Sequence, residues 1–147
     1  MPTHSIGETF PCPLILHICG RTVDRMPYIG QTGFTAFHFD SKNPPAESRE
    51  AIGPDMRLVG NVNNPHALFK SPPEVAYAES VRAMNAGVRC VGPECAIPLL
   101  TPAENLRAIA RAAREYPGLS EEERRDWERR APVYDNKGGV ARECLGP

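Results

Sequence analysis

Apolar residues along the chain cluster in four short runs separated by stretches with helical spacing. The runs are 13–18 (PLILHI), 34–39 (FTAFHF), 56–60 (MRLVG) and 88–92 (VRCVG). Each is rich in β-forming side chains and most lack strict apolar–polar alternation, which predicts strands buried on both faces of a parallel sheet. Between and after them lie helix signals. Ser71-Pro72-Pro73-Glu74 predicts a helix over 72–86, with Ser71 as cap, Pro72 at the first helical position and Glu74 completing a capping box. Gly87 stops it. Thr101-Pro102-Ala103-Glu104 repeats the device for a helix over 102–115, whose expected apolar stripe is Leu106, Ile109, Ala110 and Ala113. A shorter helix is predicted over 45–52, closed by Gly53, and a weaker one over 21–31, interrupted by Pro27. Strand and helix thus alternate four times, which implies an α/β fold of right-handed βα units around a parallel sheet. After Tyr116 the character changes: 120–130 (SEEERRDWERR) reads as a capped, solvated, charged helix, and 131–147 as an extended tail.

Composition narrows the function classes. With 147 residues, 41% of them hydrophobic, the chain holds enough apolar material for one domain's core and is not wholesale disordered. No apolar run approaches the roughly 20 residues of a membrane span, and the first ten residues lack the order of a secretion signal. The expectation is a cytoplasmic protein with no membrane partner. A net charge of -1 argues against nucleic acid as the main partner. Five cysteines, an odd number without a secretion signal, argue against a disulfide framework. Each is by default a small buried residue, and Cys90, mid-strand, is expected in the core.

Candidate chemistry follows from the topology, because ligands in parallel α/β folds bind at the carboxyl ends of strands. There the first run delivers His17 and Cys19, two residues apart and hence on the same side of an extended segment. The second delivers His38 and Asp40, the third Asn61 and Asn63, and the fourth Glu94 and Cys95. One imidazole and two thiols on a shared rim fit zinc with an open fourth position. They equally fit rim side chains with ordinary hydrogen bonds and a buried loop thiol. Asp40 suits a partner for His17, a general acid or base, or a helix cap. Asn61 suits a substrate contact, whereas Asn63 reads more simply as part of a turn at Asn63-Asn64-Pro65. Glu94 is expected in solvent.

Taken in order, Leu-Ile-Leu-His-Ile-Cys-Gly at 14–20, Phe-His-Phe-Asp at 37–40, Leu-Val-Gly-Asn-Val at 58–62, Gly-Pro-Glu-Cys-Ala-Ile-Pro at 92–98 and Thr-Pro-x-Glu-Asn-Leu-Arg at 101–107 carry a resemblance. Over roughly residues 12–116 the chain resembles the uroporphyrinogen decarboxylase superfamily, and within it the cobalamin-dependent methyltransferases that methylate coenzyme M. The resemblance implies a (β/α)8 TIM barrel of which this chain holds the last four βα units, with zinc on His17, Cys19 and Cys95. It implies methyl transfer from a methylated corrinoid protein to a thiol such as coenzyme M, the thiolate attacking the methyl carbon and reduced cobalt leaving. Asp40 is then the candidate catalytic residue and Asn61 the candidate substrate contact. The expected division is a half-barrel over 1–116 and a charged helix with a tail over 117–147. Expected partners are the corrinoid protein, the small thiol, and either a second copy or a complementing N-terminal half-barrel. Other readings are a uroporphyrinogen decarboxylase-like lyase, which the His-x-Cys pair argues against, and a non-catalytic half-barrel subunit or remnant. Glu94, beside the second thiol position, departs from the small residue expected there.

Overall fold

The computed structural model describes Phe10 and residues 12–118, together with two short segments near the C-terminus. Four strands, β1 (Ile15–Ile18), β2 (Ala36–Phe39), β3 (Arg57–Val62) and β4 (Cys90–Pro93), form one parallel sheet in the order β1-β2-β3-β4. The register pairs His17 with His38, His38 with Val59, and Val59 with Cys90. Helices α1 (Met26–Ile29), α2 (Pro45–Ile52), α3 (Pro73–Asn85) and α4 (Ala103–Glu115) complete four βα units. Strands β5 (Val133–Tyr134) and β6 (Val140–Arg142) make a separate antiparallel pair within the region expected to be an extended tail. The expected charged helix at 120–130 lies outside the described residues.

Helix boundaries follow local chemistry, with instructive shifts. Helix α3 starts at Pro73, not Pro72. Pro72 is its N-cap with ψ 159°, since a residue followed by proline is pushed out of the helical region. Pro102 likewise caps α4 in an extended conformation. Neither Ser71 nor Thr101 therefore makes the expected cap, and the Thr101 hydroxyl is buried without a partner. Gly87, at φ +91°, ends α3 as expected. Pro27 does not interrupt a helix. It sits in the first turn of the one-turn α1, where a missing N–H removes no hydrogen bond, behind a 3-10 turn at Val23–Arg25.

The core lies between the sheet and its helices. Phe37, Phe39 and Leu58 project from β2 and β3 and are fully buried against Met26, Ile29, Ile52 and Ala83. Leu16, Ile18 and Val91 pack on the same cluster. A second cluster joins Val62, Ala67 and Leu68 to Ala76 of α3 and Ala108 and Ile109 of α4. The buried stripe of α4 is rotated from the expected one: Asn105, Ala108, Ile109 and Ala112 face inward, while Ala110 and Ala113 are exposed. The cause is Asn105, whose buried amide donates to the carbonyls of Leu68 and Ser71 at 2.9 and 2.8 Å and holds that side against the preceding loop.

The opposite face of the sheet is open. Ile15 is 62% exposed, and His17 and Cys90 are exposed as well. Two expectations are corrected here. The strands are not buried on both faces, and Cys90 is not in the core. Both follow from the topology: β1 and β4 are the sheet's outer strands among the described residues, and no described element covers that face.

Candidate metal centre

The loops leaving the four strands are tied to one another by side chains that accept from, or donate to, backbone groups. Asp40 accepts from the backbone N–H of Gly20 at 2.7 Å and of Lys42 at 2.9 Å. Asn43, fully buried, accepts from Thr22 and Val23 and donates to the Gly20 carbonyl. Asn61 donates to the Asn43 carbonyl at 2.9 Å. Glu94 accepts from the N–H of Ser41 at 2.9 Å and of Asn64 at 2.8 Å. Asn64 in turn donates to the Ala96 carbonyl at 2.7 Å. Backbone donors at the ends of short strands would otherwise stay unpaired, and buried unpaired donors are costly. The rim is therefore a rigid platform, and Cys19 and Cys95 stand directly beside its anchor points at Gly20 and Glu94.

On that platform His17, Cys19 and Cys95 converge. Nε2 of His17 is 3.1 Å from Sγ of Cys19, the two sulfurs are 3.1 Å apart, and Sγ of Cys95 is 3.4 Å from Nε2. Among the described residues this is the one cluster of three His, Cys, Asp or Glu side chains able to hold a metal ion. Nδ1 of His17 lies 3.1 Å from the His38 carbonyl. A carbonyl only accepts, so in the neutral ring Nδ1 carries the hydrogen and Nε2 turns its lone pair toward the sulfurs. The donor set suits zinc. A tetrahedral ion with Zn–S near 2.3 Å and Zn–N near 2.0 Å needs sulfurs about 3.8 Å apart and N–S edges of about 3.5 Å. The N–S edges, 3.1 and 3.4 Å, fall short by up to about 0.4 Å and the sulfur pair, at 3.1 Å, by about 0.7 Å, so binding would spread the two sulfurs by side-chain rotation. Three protein ligands would leave a fourth position free, as in catalytic rather than structural zinc sites.

Electrostatics separates the two thiols. Contact with Cys95 raises the Cys19 thiol above its ordinary value. Contact with Cys19, then the backbone N–H of Ala96, lowers Cys95. Of the two thiols, Cys95 is thus the one shifted toward the thiolate form that a metal ligand needs. Burial pushes the Asp40 carboxyl up, but the N–H groups of Lys42 and Gly20 outweigh it and the net shift is downward.

A profile of the Uroporphyrinogen decarboxylase (URO-D) family matches residues 3–116. The chain belongs to the uroporphyrinogen decarboxylase family. Within it, the chain is 36% identical over 118 residues to a methylated-thiol–coenzyme M methyltransferase from Methanosarcina mazei, covering 80% of this chain and 32% of that protein. It is 34% identical over 103 residues to the methylcobamide:CoM methyltransferase MtaA from Methanosarcina barkeri, covering 69% and 30%. A uroporphyrinogen decarboxylase from Crocosphaera subtropica is 30% identical over 119 residues, covering 78% and 32%. Among solved structures, a methyltransferase from Methanosarcina mazei superposes with a TM-score of 0.69 at 32% identity, over 72% of this chain and 32% of that one. The fold is accordingly part of a TIM barrel, and the chain spans about a third of the length of the relatives it matches.

Two expectations are corrected at the site: Asp40 as a partner of His17 or a helix cap, and Glu94 as a solvated side chain. Asp40 does not orient His17, whose Nδ1 faces the His38 carbonyl. Nor does it cap a helix, since α2 begins only at Pro45. It braces the loop after β1 instead. Asn61 is 4% exposed with its amide committed to the Asn43 carbonyl. Glu94 is buried rather than solvated. Asn63 accepts from the His66 N–H at 2.7 Å, as a turn residue does, and donates to the Ser41 hydroxyl. Sequence reasoning places His38 on the rim and Asn64 in a turn without giving either a role at the site, and it does not single out Asn43. Asn43 and Asn64 carried the weak signal of polar residues just past apolar runs.

Proposed function

We propose that this chain is the thiol-activating portion of a zinc-dependent methyltransferase, moving a methyl group from a methylated corrinoid protein to a small thiol such as coenzyme M. The observation that carries the reading is the triangle of His17, Cys19 and Cys95, with edges of 3.1–3.4 Å and an open side. Relatives whose names specify methyl transfer to coenzyme M support it. His17, Cys19 and Cys95 would hold the ion. Bound there, zinc supplies a Lewis acid that lowers the pKa of a thiol at the fourth position. His17 presents its Nε2 lone pair because Nδ1 is engaged elsewhere. Cys95 contributes charge, its thiol already lowered by Cys19. In this reading Asp40 and Asn61 act from behind the rim, Asp40 fixing Gly20 next to Cys19, and Asn61 fixing the loop that carries Asn43. The decarboxylase-like alternative leaves two thiols and an imidazole at one point without a task.

In this reading the remaining barrel walls are further βα units that this chain does not contain. The open face and the free edges of β1 and β4 fit a segment carrying the other βα units. A second copy is the competing occupant. The test has two parts. Metal analysis after zinc loading should give about one zinc per chain in the wild type and roughly tenfold or more loss of affinity in Cys95→Ser. Equal zinc in both proteins sinks the assignment of Cys95. Methyl transfer from methylcobalamin to coenzyme M should then require addition of the N-terminal segment of a relative. Full turnover by the lone chain would refute that requirement.

A further inference from the structure

His38 touches one member of the triangle, His17, and the backbone at Pro93 that leads into another, Cys95, without belonging to it. It lies on β2, in register with His17 on one side and Val59 on the other. Its backbone carbonyl takes the Nδ1 hydrogen of His17, and its ring lies 4.5 Å from the His17 ring, tilted by 38°. Its own Nε2 reaches across β3 to the carbonyl of Pro93 on β4, at 2.8 Å. Since that carbonyl only accepts, Nε2 carries the hydrogen. The crossing depends on Gly60. A Cβ there would stand 3.3 Å from Cδ2 of His38 and 2.9 Å from the Phe39 carbonyl. The backbone two residues before Cys95 is thus held by the His38 ring, and the residue directly before it by Glu94. Of these anchors, only His38 also touches His17.

We propose that His38 is a positioning residue for the metal centre. One residue aims the His17 imidazole through its carbonyl and sets the place of Cys95 through its ring, so that ligands from β1 and from the loop after β4 meet. The inference rests on the metal-centre reading of His17, Cys19 and Cys95. It assigns His38 no contact with substrate.

The experiment compares wild type, His38→Leu and His38→Gln in the full chain. Leucine removes the ring donor and glutamine keeps an N–H that can reach Pro93. Zinc affinity is measured by chelator competition, and site geometry by the absorption of the cobalt(II)-loaded protein, which reports ligand arrangement rather than fold. The expected result is a roughly 10- to 100-fold loss of zinc affinity with altered cobalt bands in His38→Leu, and recovery of most of both in His38→Gln. Leucine behaving as wild type, or glutamine failing as badly as leucine in a folded protein, would overturn the proposal. Should the leucine variant not fold, nitrogen NMR of the metal-free wild type decides: His38 must be the Nε2–H tautomer, and the Nδ1–H form overturns the assignment. If wild type takes up no metal, the metal-centre reading fails, while the tautomer separately reports whether His38 holds Pro93.

Discussion

The two faces of the four-stranded sheet are made by alternate residues of the same strands, yet they are finished differently. On one face Phe37, Phe39 and Leu58 have no exposure and pack on helices supplied by this chain. On the other, Ile15 is 62% exposed, and the aligned row of His17, His38, Val59 and Cys90 carries the imidazole chemistry and a free thiol. The first face is a completed core. The second combines apolar side chains with imidazole and thiol groups able to hold a metal ion and has no described cover. A sheet face of this kind belongs to a larger enclosure, which agrees with a chain spanning a third of its relatives' length.

The largest expected effect tests the completed face. Phe39→Ala should destabilise the chain by about 3–5 kcal/mol in denaturant unfolding, the cost of a large cavity in a packed core. A loss below 1 kcal/mol would mean that the helix-covered face is loosely packed. Gly60→Ala comes next, at about 2 kcal/mol. Its φ of +119° disfavours any side chain, and the added carbon meets the Phe39 carbonyl and the His38 ring. Because the strain falls beside His38, the same variant should also weaken zinc binding, linking the strand interior to the open face.

Asp40→Asn, at the rim joining the faces, should cost about 1–2 kcal/mol near neutral pH, since an amide cannot accept from both Gly20 and Lys42. The pH dependence has a definite sign. The Asp40 carboxyl is held below its ordinary 3.8, so its stabilisation is fully present above that value and is lost as pH falls through the lower folded-state value. Asparagine does not titrate. The stability gap between the two proteins, measured by urea unfolding at several pH values, should therefore close below pH 3.8. A gap that stays constant would show that the carboxylate charge is not what braces the loop. The smallest effect is on the open face: Ile15→Ala should change the stability of the lone chain by no more than about 0.5 kcal/mol. It should measurably weaken association with a complementing barrel segment, and a large loss in the lone chain would mean that Ile15 is already covered.

What could be read from the sequence follows from how local each feature is. Helix α2 spans the residues that its flanking proline and glycine delimit, and the four strands lie where the apolar runs are. The rim position of His17, Cys19 and Cys95 was legible because strand order and the two-residue period need only nearby sequence. The exposure of Cys90 and Ile15 was not, because apolar strand patterns do not say whether the second cover lies in the same chain. Nor was the burial of Glu94, which depends on N–H groups 53 and 30 residues away. The reach of His38 over Gly60 depends on a glycine in a neighbouring strand, and the rotated face of α4 on two carbonyls that Asn105 finds in an earlier loop. A buried polar side chain is placed by partners distant in sequence, and no periodicity announces them.

Cys19 and Cys95 also have a topological meaning. They are 76 positions apart, and the stretch between them contains every helix but α4 and every strand of the parallel sheet but β1. Any bond that joins them, whether through a shared ion or directly, closes about two thirds of the described chain into one ring. Closing a ring of that size removes denatured-state conformations worth about 4 kcal/mol on the loop-entropy model. The two sulfurs are therefore a clasp as well as a candidate ligand pair. The chain with its clasp fastened should unfold as a ring, at a higher denaturant concentration than the same sequence with the clasp open.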